Sequence, residues 1–310
     1  MRTTLLRIAA LAVVALAVLV SAPKPAQAIA NGEDVASGEY GFSVLLTMTG
    51  LPAADQGSRD SSCSGALVAP RWVITAGHCF RDGSGRRVDR TVARRTTATI
   101  GRTALADRTG HEIDVVAVRQ SASADVALAE LGEPVTDVTP LRVGAAPARP
   151  GEVVRLTGWG LTSYDVGDTV DRLQTGEFVV TGVDDVTVSM AGRAPRADTS
   201  ACPHDSGGPY FRTGDGDRPE LVAVVSRGPA CPHTGDDTAA RTDNLAAWVA
   251  ATTAEASQPD SRLRWLGLSL AGGVLAVLVV VIRLRRGRRG PARPHGRLGD
   301  PARRQPSSVR

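Results

Sequence analysis

The chain has 310 residues, 42% of them hydrophobic, and a net charge of +4 that on its own invites a nucleic-acid reading. The distribution of charge excludes that reading. Residues 283–310 hold ten Arg and one Asp, and residues 1–28 hold Arg2, Arg7 and Lys24, so taking +9 and +3 from +4 leaves −8 for residues 29–282.

In chain order, the basic residues Arg2 and Arg7 come with an almost unbroken aliphatic run, Leu5 to Val20, and then with Ala26-Gln27-Ala28, small residues around a polar one. This order predicts a secretory signal peptide over residues 1–28, cleaved after Ala28. Short β-rich runs follow at Phe42–Thr47, Trp72–Thr75, Val153–Leu156, Glu177–Val180, Val186–Met190 and Leu221–Val225, separated by Gly, Pro, Asp and Ser clusters. That texture predicts an all-β sandwich or barrel rather than βαβ units. One helix is expected near the end, capped by Thr242 or Asp243, with Leu245, Trp248 and Val249 on one face. Residues 255–264 read as a linker. Trp265–Ile282 is free of charge, and its 18 residues would span roughly 27 Å as a helix, close to the ~30 Å core of a bilayer. Arg283, Arg285, Arg286, Arg288 and Arg289 follow at once, which predicts a single transmembrane helix with residues 283–310 as a basic cytoplasmic tail and the preceding domain outside the cell. No Leu-Pro-x-Thr-Gly motif precedes Trp265, which argues against a cell-wall sorting signal.

All four cysteines, Cys63, Cys79, Cys202 and Cys231, fall in the exported part. An even number in a secreted chain points to disulfides, and the lack of CxxC spacing argues against a metal. Sequence leaves three pairings open.

Three segments carry chemistry: Thr75-Ala76-Gly77-His78-Cys79, Asp125-Val126-Ala127-Leu128 and Asp205-Ser206-Gly207-Gly208-Pro209. A serine hydroxyl is a weak nucleophile until a base takes its proton, and histidine has the pKa for that task. A carboxylate then fixes the imidazole tautomer and stabilises its charged form. Gly207 and Gly208 read as room for backbone to approach a substrate. Asp114 in Glu112-Ile113-Asp114-Val115-Val116 competes with Asp125 for the carboxylate role, while His111, His233 and His295 have no supporting context and read as solvated.

The three segments resemble those of the trypsin- and chymotrypsin-like serine proteases, in the chain order His, Asp, Ser. Cys63-Ser64-Gly65-Ala66-Leu67-Val68, Gly158-Trp159-Gly160 and Ser226-Arg227-Gly228 extend the resemblance over about residues 29–250. It implies two six-stranded antiparallel barrels, over 29–145 and 146–254, with a protein or peptide substrate held between them and no cofactor. It implies a triad of His78, Asp125 and Ser206, with Ser226 seating Asp125. It implies disulfides Cys63–Cys79 and Cys202–Cys231, and an oxyanion hole from the backbone N–H groups of His204 and Ser206. Ile29-Ala30-Asn31-Gly32 resembles the family's activated terminus, whose free amine pairs with the carboxylate before the nucleophile, here Asp205. Since Ile29 directly follows the predicted cleavage site, signal peptidase itself would free that terminus.

The chain departs from the family at two places. His204 stands where the family has glycine, and Arg227 replaces a tryptophan of the substrate groove, which would either favour acidic residues upstream of the cut or simply weaken peptide binding. Ser200 matches the base of the specificity pocket, and either Asp237 or Asp236 would project from the wall near Gly228, or both would lie on an exposed loop. The resemblance implies a serine endopeptidase; the rival reading is a protease fold reused as a binding module.

Overall fold

The computed structural model describes residues 29–53, 57–161, 171–213 and 218–255, together with Arg283. The leader 1–28, the predicted span 265–282, and the linker and tail apart from Glu255 and Arg283 lie outside them. Among the described residues no helix is long and apolar enough to cross a membrane.

The fold is all-β with one helix. The strands are β1 (Glu33–Asp34), β2 (Ser43–Pro52), β3 (Ser58–Ala69), β4 (Trp72–Thr75), β5 (Arg95–Ile100), β6 (His111–Gln120) and β7 (Ala127–Leu131), then β8 (Arg142–Val143), β9 (Val153–Gly158), β10 (Gln174–Val183), β11 (Thr187–Ala194), β12 (Pro209–Thr213), β13 (Pro219–Arg227) and β14 (Asp237–Arg241); the helix α1 is Ala246–Glu255. Strands β2-β3-β4-β7-β6-β5 close a first antiparallel barrel, and β9-β10-β11-β14-β13-β12 close a second as β12 and β10 both pair with β9. Closure leaves no long edge exposed. Two short stretches ahead of residue 145 pair with the second barrel: β1 lies along β10, and β8 runs parallel to β13.

Side-chain alternation explains the layering. On β2, Val44, Leu46 and Met48 enter the core of the first barrel, while Leu45 points the other way against Val35, Trp159 and Leu173. The second core gathers Leu156, Phe178, Val180, Met190, Tyr210, Val225 and Ala239 from six strands. Strand β4 is buried along its whole length, so its sequence Trp-Val-Ile-Thr does not alternate.

The helix begins later than its sequence suggests. Asp243–Leu245 forms a 3-10 turn whose N-cap, Thr242, makes no side-chain cap, and the Asp243 carboxylate is taken by Arg241 at 2.8 and 2.9 Å. Leu245, Trp248 and Val249 nevertheless share the face that packs on the core. Cys63 is bonded to Cys79 and Cys202 to Cys231, the pairings that the resemblance implies.

Candidate active site

The candidate triad residues lie in short segments next to strand ends. β4 leads through Ala76 into a 3-10 turn, Gly77–Phe80, that carries His78. Asp125 stands two residues before β7, Ser206 three before β12, and Ser226 near the end of β13. The first barrel thus supplies the base and the carboxylate, and the second supplies the two hydroxyls.

His78 Nδ1 lies 2.7 Å from Asp125 Oδ2, and its Nε2 lies 2.8 Å from Ser206 Oγ. The His78 backbone N–H donates to Asp125 Oδ1 at 2.8 Å, and the Ser226 hydroxyl donates to Oδ2 at 2.7 Å. An ionised carboxylate only accepts, so the proton of the neutral imidazole sits on Nδ1 and the Nε2 lone pair faces the serine hydroxyl. Burial alone would raise the Asp125 pKa. The hydrogen bonds from His78 and Ser226, with the charge of His78, more than reverse this and hold the carboxyl at about 2. Asp114, the competing carboxylate, lies on β6 with its side chain 54% exposed and pairs with Arg95 at 2.7 Å.

Sequence reasoning passed over the residues that brace this line. Arg87 donates to the Ala124 carbonyl and lies 3.9 Å from Asp125 Oδ1. Gln120 Nε2 donates to the Gly77 carbonyl at 3.0 Å, tying β6 to the turn that holds His78. Ser64 does most for the nucleophile: its N–H donates to the Ser206 carbonyl at 2.9 Å, and its hydroxyl donates to the His204 carbonyl at 3.0 Å. No local pattern marks these residues, because each acts across a long stretch of chain.

Among the described residues, the backbone N–H groups of His204 and Ser206 donate to no protein acceptor. His204 adopts φ +79, the left-handed region that favours glycine, and its Nδ1 donates to the Ser62 carbonyl at 2.9 Å. The left-handed conformation costs roughly 1 kcal/mol and the hydrogen bond returns about as much. His204→Gly is therefore expected to leave stability and serine reactivity close to the parent, whereas His204→Ala, which keeps the strain and loses the bond, should melt about 2–4 °C lower. Thermal melts of the three proteins check the ranking.

The glycines near Ser206 serve the protein rather than a substrate. Gly207 has φ +84, and a Cβ there would collide with Thr75 Oγ1 and the Ser64 carbonyl. A Cβ on Gly158 or Gly160 would collide with the Asp205 carboxylate. Asp205 is fully buried, and it accepts from the N–H of Gly160 at 2.8 Å and of Cys202 at 2.9 Å. Burial pushes its carboxyl well above the usual range against those two donors, and Asp237 adds to the rise. Among the described residues no cation lies at ion-pair distance. Ile29 is also fully buried, and Ala30 exchanges backbone hydrogen bonds with Ser200 at 3.1 and 3.2 Å.

The structure brings Ser200, Gly228 and Asp237 together. A Cβ at Gly228 would collide with Asp237 Oδ1, and Ser200 Oγ accepts from the His233 N–H at 3.2 Å. Asp237, 1% exposed, accepts from Ala201 N–H at 3.0 Å. His233 is not solvated as its sequence context suggests: its side chain is 10% exposed and its Nε2 lies 3.2 Å from Asp237 Oδ1. Asp236 points away, accepting from Thr181 at 2.8 Å. The Asp237 carboxyl is raised by burial, against the Ala201 donor and the charge of His233. Among the described residues no cluster of three His, Cys, Asp or Glu side chains is placed to hold a metal ion.

Two closed barrels with serine, histidine and carboxylate in line between them define the two-barrel class of serine protease. The trypsin family model matches residues 29–249, and the chain belongs to that family. It is 28% identical over 242 residues to a trypsin-like protease of Streptomyces glaucescens, an alignment that covers 73% of this chain and 84% of that protein.

Proposed function

We propose that the protein is a serine endopeptidase that cleaves peptide bonds through an acyl-enzyme at the outer face of the cell membrane. The observation that carries the reading is the unbroken line from Asp125 through His78 to Ser206, with contacts of 2.7 and 2.8 Å and a single consistent tautomer. In this reading Ser206 Oγ attacks the scissile carbonyl carbon as His78 Nε2 takes the hydroxyl proton. The carbonyl oxygen becomes an oxyanion, to which the backbone N–H groups of His204 and Ser206 donate. His78 then returns the proton to the leaving amine, and a water repeats the sequence to release the acid and restore Ser206. The membrane location is supported by the leader over 1–28 and by the apolar run 265–282 with its basic tail.

A membrane-impermeant fluorophosphonate tests both parts. It is expected to modify Ser206 on intact cells and in the purified protein, with the adduct located by peptide mass mapping. A folded protein left unlabelled after purification would instead favour the binding-module reading. Labelling of the purified protein but not of intact cells would remove the outer-face location alone.

A further inference from the structure

Beside the triad lies a cleft of about 550 Å³ whose walls come from both barrels and include His78, Arg81, Arg87, Thr187 and Arg227. Three of those side chains are cations. Arg81 and Arg87 face each other across a backbone bridge, which holds them on one wall, and Arg227 ends β13. Among the described residues neither Arg81 nor Arg227 has an ion-pair partner, and both are exposed. Asp125 is the single carboxylate on these walls, and it is already held by His78 and Ser226. The cleft is therefore strongly positive although residues 29–282 carry −8, so its sign is local rather than a reflection of the whole domain.

The main chain at this place is also open. β12 pairs with β13 no further than Pro209 opposite Val224, and Val225 then bonds Gly207 and Gly208, so Ser226–Gly228 have no strand partner on that edge among the described residues. An extended peptide can add there as a strand, and its alternate side chains then reach the cleft.

We infer that this cleft selects substrates with Asp or Glu two to four residues upstream of the scissile bond, through Arg81, Arg87 and Arg227. The inference rests on the endopeptidase reading and adds the chemical class of the substrate. Arg87 is the least available of the three, since it donates to the Ala124 carbonyl. Arg81 and Arg227 carry the selection.

The test uses the full-length chain from a secreting bacterial host and quenched fluorogenic peptides that share one cleavable core. They carry Glu, Gln or Lys at the second to fourth positions upstream, or Glu downstream. The upstream Glu peptides are expected to exceed the Gln peptides in kcat/KM on the order of 10-fold, with Lys below both, and the ratio should shrink at high salt. Arg81→Gln with Arg227→Gln should bring the Glu to Gln ratio near one, whereas Arg227→Lys, which keeps the charge, should retain most of it. Fluorophosphonate labelling of the same preparation reports the triad separately. Absent labelling defeats the endopeptidase reading itself. Normal labelling with no upstream Glu preference, or an equal gain from downstream Glu, overturns the inference and leaves that reading standing.

Discussion

Replacing Asp125 by Asn is expected to lower kcat/KM for peptide hydrolysis about ten-thousand-fold while the protein stays folded. The reason is a proton rather than a shape. Asp125 accepts from the His78 backbone at 2.8 Å and from Ser226 at 2.7 Å, which orients its carboxylate before it meets Nδ1. An Asn in the same place can present its N–H2 to Nδ1, which moves the imidazole proton to Nε2 and turns the acceptor away from Ser206. The imidazolium formed in the reaction also loses its counter-charge. Fluorophosphonate labelling should fall with peptide hydrolysis, and a loss below 10-fold would show that Asp125 does not act in this way.

The same carboxylate makes a prediction about acid stability. Its folded pKa of about 2 lies below its ordinary value of 3.8. The stabilisation is therefore present above pH ~4 and is lost as pH falls through about 2, an effect on the order of 2 kcal/mol. Urea melts at pH 5 and pH 2 should show the parent losing this increment and Asp125→Asn losing less.

The legible and illegible parts of the molecule divide by range. The segments around His78, Asp125 and Ser206 could be found because the chemistry places special residue types next to one another. β4 and β13 could be found because buried strands are runs of branched and apolar residues. β14, Asp-Thr-Ala-Ala-Arg, escaped notice because alanine is a weak strand former, and its burial between β11 and β13 decides its state. The polar first half of β3, Ser58–Ser62, escaped for a similar reason: it pairs with β2 while its side chains stay largely in water. β5 is rich in threonine yet almost wholly buried, so hydropathy understates it. His233 is the instructive failure at the site. Nothing beside it in sequence marks it, and its environment is made by Asp237 four residues on, across a turn. Sequence gave no reason for glycine on both sides of Trp159, which the structure supplies in the Asp205 carboxylate.

That buried carboxylate carries the second large effect: adding one residue before Ile29 is expected to slow labelling of Ser206 by about 100- to 1000-fold. With residues 1–28 attached, Asp205 is fully enclosed, meets two backbone donors and no cation among the described residues, and has its carboxyl pushed well up by burial. Burial disfavours the charge on Asp205, and two backbone N–H groups are the donors that hold its carboxylate against the turn over 202–206. A free α-amine at the buried Ile29 would supply the missing charge, and leaving one member of such a pair alone costs about 3–5 kcal/mol. Asp205→Asn should therefore slow labelling by a similar factor, and the extended Asp205→Asn chain should be little worse than either change alone, because both break one interaction. The sign of the pH effect follows. Pairing raises the amine above its free value near 8, so its contribution is complete below pH ~8 and fades as pH rises through the raised value. A chain starting at Ile29 should lose activity on the alkaline side, and the extended chain should not show that step. Equal labelling of extended and unextended chains would sink the pairing, whereas a mature terminus found elsewhere than Ile29 would sink only the idea that signal cleavage creates it.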